Sequence, residues 1–211
     1  MTALPQFKSK TVPVIVITDV AQAIPMAHAL LAGGIDVMEI TLRHPAGLPA
    51  IAAVAKAVPE MCVGAGTVTT LDDVARVVDA GATFALSPGM TDSLIAAVQK
   101  ANLPFVPGVM TPGEVMRARD HGYGLVKLFP ATQAGGLGML KAMGGPLPDM
   151  RFCPTGGVSL ANMNEFLALP NVAMVGGSWL TPVNIVEAAA ASGDWSAITA
   201  LAQEATDQAS K

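Results

Sequence analysis

Residues 123–131 read Tyr-Gly-Leu-Val-Lys-Leu-Phe-Pro-Ala, YGLVKLFPA. Apart from one charge the run is apolar and rich in β-formers. A strand reads this way when its sheet is covered on both faces, because neither side of the pleat meets water. Such sheets are parallel and joined by helices, so the stretch predicts an α/β fold. Lys127 sits in its middle. An ammonium there must reach water along its stem, pair with an acid, or give up its proton. A lysine that snorkels is only structural, whereas a desolvated one with a lowered pKa is what Schiff-base chemistry needs. The stretch alone leaves both open.

Working outward, runs of the same kind recur at Val12–Ile17, Ile35–Thr41, Met61–Ala65, Thr83–Leu86, Pro104–Val109, Met150–Pro154 and Val172–Val175. With the first they make roughly eight strands, about 20 to 27 residues apart, the spacing of repeated βα units. Between them lie Ala-, Leu- and Val-rich segments of helical period, such as Ala21–Ala32. Leu71-Asp72-Asp73 and Thr91-Asp92-Ser93 offer caps and first-turn acids. Thr111-Pro112-Gly113-Glu114 is a capping-box pattern, and Gly33-Gly34, Gly81 and Gly122 mark helix ends. Strict alternation predicts a single (β/α)8 TIM barrel over residues 1–211, with a short N-terminal helix or arm and a helical tail from Ile185. An open doubly wound sheet would carry a GxGxxG turn after the first strand; Thr18-Asp19-Val20-Ala21 stands there instead.

Hydrophobic residues make up 52% of the 211-residue chain and charged residues 13%, enough for a large core; with aromatics at 4%, that core must be aliphatic. A net charge of −4 and no Lys/Arg cluster argue against a nucleic-acid surface. No apolar span approaches membrane length and no signal peptide is visible, so a cytoplasmic protein is expected. Cys62 and Cys153 lie in apolar runs without CxxC spacing and read as buried hydrophobes in a reducing compartment.

Function in such barrels gathers at the C-terminal strand ends. Lys127 is the lysine inside an apolar strand run, and Glu39, in VMEIT, is the acid set deep in one. Their strands can place both in one interior layer, as a coupled acid–base pair or as a structural ion pair. Thr155-Gly156-Gly157 and Gly176-Gly177-Ser178 end strands seven and eight, where barrels of this kind hold phosphate on backbone N–H groups at helix N-termini. Either glycine pair alone reads equally well as a tight turn. Arg43 can lean over the rim to fork a carboxylate, or be a surface residue. Thr67, between Gly66 and Val68, can add a hydroxyl. His44 reads as loop, and His28 and His121 fall away from the rim. No HxH, HExxH or acid cluster suggests a metal.

The pieces EITLR, VGAGTV, SPGMT, VPGV, KLFPA, RFCPTGGV and GGSWL, in this order, resemble the bacterial 2-keto-3-deoxy-6-phosphogluconate (KDPG) and 4-hydroxy-2-oxoglutarate (KHG) aldolases over nearly the whole chain. The resemblance implies a class I aldolase barrel, usually a homotrimer, acting without cofactor or metal on a phosphorylated 2-keto acid and releasing pyruvate. It makes Lys127 the Schiff-base lysine and Glu39 the proton-transferring residue. Arg43 and Thr67 match positions near the pyruvate carboxylate, Pro88 and Phe129 pocket-lining positions, and Thr155, Gly156, Gly157, Gly177 and Ser178 the phosphate side. Thr155 leans the reading toward the gluconate substrate; the alternative is its galactonate epimer. Rivals outside the family are a sugar-phosphate epimerase or isomerase, which needs no imine, and a non-catalytic phosphosugar-binding barrel.

Overall fold

The apolar runs become strands that pair in parallel, largely in chain order, because each must bury both faces between helices and barrel interior. The computed structural model describes residues 3–209. β1 spans Thr11–Ile15, β2 Val37–Thr41, β3 Cys62–Gly66, β4 Phe84–Leu86 and β5 Phe105–Val106. β6 spans Gly108–Val109, β7 Leu125–Leu128, β8 Arg151–Phe152 and β9 Val175–Gly177. One sheet runs β5-β4-β3-β2-β1-β9 and the other β6-β7-β8.

The two sheets close one ring. β5 and β6 are halves of a single stave broken at Pro107, which has no N–H for the ladder but whose carbonyl accepts from the Lys127 N–H at 2.9 Å. At the other seam Phe152 bridges Val172 and Thr155 bridges Gly176, both in parallel. Nine segments thus supply eight staves of a (β/α)8 barrel.

Helices α1 Ala23–Ala32, α2 Gly47–Ala57, α3 Leu71–Asp79, α4 Asp92–Lys100 and α5 Pro112–Asp120 follow the first five staves. α6 Gly136–Gly144, α7 Met163–Leu167 and α8 Val183–Ser192 follow the last three. α5 starts as the sequence indicates, with Thr111 and Glu114 in a reciprocal capping box; a second box joins Thr70 to Asp73 at α3. Each such cap stabilises by about 1 kcal/mol. The tail helix α9, Ser196–Ala209, crosses α1 so closely that a Cβ on Gly33 would overlap Ala202.

Of the helix or arm expected at the N-terminus, residues 3–9 form the arm, held by Asp36, which accepts from the Lys8 N–H at 2.8 Å and the Ser9 hydroxyl at 2.6 Å. Met1 and Thr2 lie outside the described residues. Two expectations need correction. The segment before α1 opens as a 3-10 turn, Val20–Gln22. The eighth stave begins at Val175 rather than Val172, because pairing to β1 starts with Thr11 opposite Val175. Gly176 and Gly177 are therefore strand residues, not a turn.

Candidate active site

β2 and β7 each bring one charge into the barrel. Glu39 is central in β2, whose five residues are all buried, and Lys127 lies in β7 in register with Gly108. Lys127 Nζ donates to Glu39 Oε1 at 3.0 Å and to Oε2 at 3.4 Å, with the side chains only 6% and 1% exposed. The lysine does not snorkel. Two neighbours hold the geometry. A Cβ on Gly66 would overlap Glu39 Oε1, so glycine there gives the carboxylate its room. The Phe129 ring centroid lies 5.5 Å from Lys127 Nζ, a cation–π distance.

Cys153 is buried beside the pair. Burial pushes its thiol up to about 11, while the Lys127 charge pulls the other way. Its Sγ is 3.8 Å from Thr155 Oγ1, and the Thr155 hydroxyl donates to the Cys153 carbonyl at 3.4 Å. Thr155 is confined on its other side, since a Cβ on Gly176 would overlap its hydroxyl oxygen.

A cavity of about 380 Å³ opens at this end of the barrel. It brings together Arg43, Phe129, Thr155, Gly156, Gly157, Gly177 and Ser178 of the residues singled out in the sequence. Gly156 and Gly157 have φ of 97° and 78°, a left-handed backbone that glycine adopts without strain. The Thr132 N–H and Asn162 Nδ2, each at 3.1 Å, occupy their carbonyls. Their own N–H groups find no partner among the described residues. The expected helix N-terminus does not supply these donors, because α7 begins only at Met163. The left-handed turn itself exposes them, a concavity suited to an anion.

Arg43 is exposed on the rim, and its Nε donates to Thr41 Oγ1 at 3.3 Å. Thr41, buried and donating to the Ile15 carbonyl at 2.9 Å, is a rim residue whose supporting role the sequence does not reveal. Lys127, Glu39, Thr67 and Pro88 are not among the residues that line the cavity. Thr67 follows Gly66 with φ 62°, a sparsely populated conformation for a β-branched residue. Pro88 packs its main chain against Gly108, the register partner of Lys127. Ser87, fully buried, accepts from the Gly108 N–H at 3.3 Å; it reads in the sequence as a residue of the same rim, without a role of its own.

Chemically, the barrel interior offers a primary amine touching a carboxylate, and the cavity, which Phe129 shares with that amine, offers backbone N–H groups, the Ser178 hydroxyl and the Arg43 guanidinium. An amine so placed can add to a ketone while the carboxylate moves protons. The family model for KDPG and KHG aldolase matches residues 6–201. A 2-dehydro-3-deoxy-phosphogluconate aldolase of Pseudoalteromonas atlantica is 52% identical over 92% of this chain and 88% of its own. The KHG/KDPG aldolase of Escherichia coli (strain K12) is 48% identical over 94% and 91%. A KDPG aldolase from Legionella pneumophila, solved with pyruvate captured as a covalent carbinolamine, superposes with a TM-score of 0.89 at 45% identity, covering 94% of each chain.

Proposed function

The chain belongs to the KDPG and KHG aldolase family, and from that premise we propose that it is a class I aldolase working through Lys127 and Glu39. It cleaves 2-keto-3-deoxy-6-phosphogluconate to pyruvate and glyceraldehyde 3-phosphate, and 4-hydroxy-2-oxoglutarate to pyruvate and glyoxylate. The observation that carries this reading is the 3.0 Å contact between Lys127 Nζ and Glu39 Oε1 inside the barrel. A buried ion pair is poor stabilising material beside aliphatic packing, so a chemical use accounts for it better.

Lys127 Nζ passes its extra proton to Glu39 and adds to the C2 ketone of the substrate. Glu39 then protonates the departing hydroxyl, and water leaves an iminium. The carboxylate next removes the C4 hydroxyl proton. The C3–C4 bond breaks, its electrons flow into the iminium, and glyceraldehyde 3-phosphate departs. The remaining enamine takes a proton at C3, and water frees pyruvate and the amine. The iminium is the electron sink, so the route needs no cofactor. Proton transfer by a placed carboxylate contributes typically about two to four decades of rate.

In this reading Arg43 holds the pyruvate carboxylate end and Phe129 shapes the pocket around the ketone from the cavity wall, while Thr67 beside Gly66 and Pro88 against Gly108 serve the same end from outside that wall. Thr155, Gly156, Gly157, Gly177 and Ser178 serve the phosphate end. Residues 1–211 act as one catalytic domain, assembled as a homotrimer in the cytoplasm. No described helix is long and apolar enough to cross a membrane.

Incubation with pyruvate and borohydride, followed by peptide mass spectrometry, tests the chemistry. A reduced adduct is expected on Lys127; no adduct, or one on another lysine, removes the aldolase mechanism.

A further inference from the structure

One wall of the cavity carries polar groups that the reaction above leaves unused. Val14 of β1 lies in register with Glu39, and Val14 and Val16 both line the cavity. The chain then climbs through Thr18 into the 3-10 turn Val20–Gln22. That turn is fixed by Asp19, whose carboxylate accepts from the Ala21 N–H at 3.0 Å and whose carbonyl accepts from the Gln22 N–H at 3.0 Å. Gln22 is thereby held as a cavity-lining residue while only 8% exposed.

The carboxamide is half satisfied. Thr18 Oγ1 donates to Gln22 Oε1 at 3.5 Å, and the side-chain N–H2 finds no partner among the described residues. That donor opens on the cavity, where a bound ligand can offer it an acceptor.

The charge balance says which acceptor. Arg43 is the sole cation among the residues lining the cavity, and it stands at the end of β2. A phosphate seated near β8 and β9 must therefore be held by neutral N–H donors. β1 is the neighbour of β9, with Pro13 opposite Gly177, so the Gln22 wall adjoins the one that ends in Ser178. Glu187 lines the same cavity from α8, but it is exposed, where solvent screens its charge.

We propose that Gln22 is a further substrate-binding residue, whose carboxamide N–H2 donates to the phosphate group across the cavity from the Gly156–Gly157 turn. The inference rests on the aldolase reading.

The test runs the reaction in the condensing direction, with pyruvate and either D-glyceraldehyde 3-phosphate or unphosphorylated D-glyceraldehyde. Gln22→Met keeps the side-chain length and removes the donors; Gln22→Glu keeps the shape and presents only acceptors. KM for the phosphorylated aldehyde is expected to rise about tenfold to a hundredfold in Gln22→Met and further in Gln22→Glu. KM for D-glyceraldehyde, and the borohydride-trapped pyruvate on Lys127, should stay near wild type. A parallel rise for both aldehydes would place Gln22 on a shared hydroxyl or in a structural role and overturn the proposal. So would unchanged KM for both. If the wild-type protein itself traps no pyruvate, the aldolase reading falls first; if it does and the variants behave like wild type, only the Gln22 assignment falls.

Discussion

Two ion pairs in this barrel use similar groups in opposite surroundings. Lys127 and Glu39 meet across the interior, 6% and 1% exposed. Arg117 of α5 and Asp92 of α4 meet on the outside, 50% and 65% exposed, with His121 adding a contact to Asp92 at 3.3 Å. The inner pair forfeits the hydration of two ions, which their attraction in a low dielectric need not restore. The outer pair keeps its water, forfeits little and gains little. A charge pair retained where it is costly signals chemistry, and one where it is cheap signals only a solvated face.

The sharpest way to break that comparison is to neutralise the inner pair in one step. Lys127→Met with Glu39→Gln should abolish cleavage of KDPG while thermal unfolding occurs at or above the wild-type temperature, because no unpaired charge is left behind. A clear loss of stability in the double variant would make the pair structural. Glu39→Gln alone should retain the amine and lose about two to four decades of kcat, the share expected of a general acid–base.

A smaller effect comes from crowding the carboxylate rather than removing it. A Cβ on Gly66 would overlap Glu39 Oε1, so Gly66→Ala should push the carboxylate off its 3.0 Å contact with Lys127. A displacement of about 1 Å at a reacting group can cost about a hundredfold in rate. Steady-state kcat on KDPG reads it; near-wild-type kcat would mean that Glu39 works from more than one position.

How much of this was legible beforehand follows from the same physics. The ring was readable because each stave buries both faces and leaves an unbroken apolar run. Lys127 and Glu39 stood out because a charge inside such a run is expensive. The start of β9 misread, since Val172 belongs to the apolar run yet only bridges Phe152 before pairing with β1 begins. The Gly156–Gly157 turn was placed, but its donors were credited to a helix N-terminus that starts too late. Gly66 and Gln22 were invisible for another reason. One matters through what a missing Cβ allows a distant carboxylate to do, and the other sits in TDVAQ, which reads as an ordinary polar turn. Close approach between residues far apart in sequence leaves no local pattern.

The outer pair supplies the smallest effect, and its sign can be worked out. Hydrogen bonding from Arg117, and then that guanidinium's charge, holds the Asp92 carboxyl below its ordinary value. A depressed folded-state pKa stabilises the fold above the unfolded-state value of about 3.9 and loses that contribution as pH falls through the lower, folded value. Asp92 is exposed to water, so the effect is strongly screened. Asp92→Asn should therefore leave kcat on KDPG untouched and lower the unfolding temperature at neutral pH barely, if measurably. Whatever difference exists should shrink as pH falls from the unfolded-state value through the lower, folded one. Unfolding curves followed from pH 7 downward into acid decide it. A large loss at pH 7, or any loss of kcat, would show that exposure does not separate the two pairs and that the outer one is coupled to the barrel interior through α4.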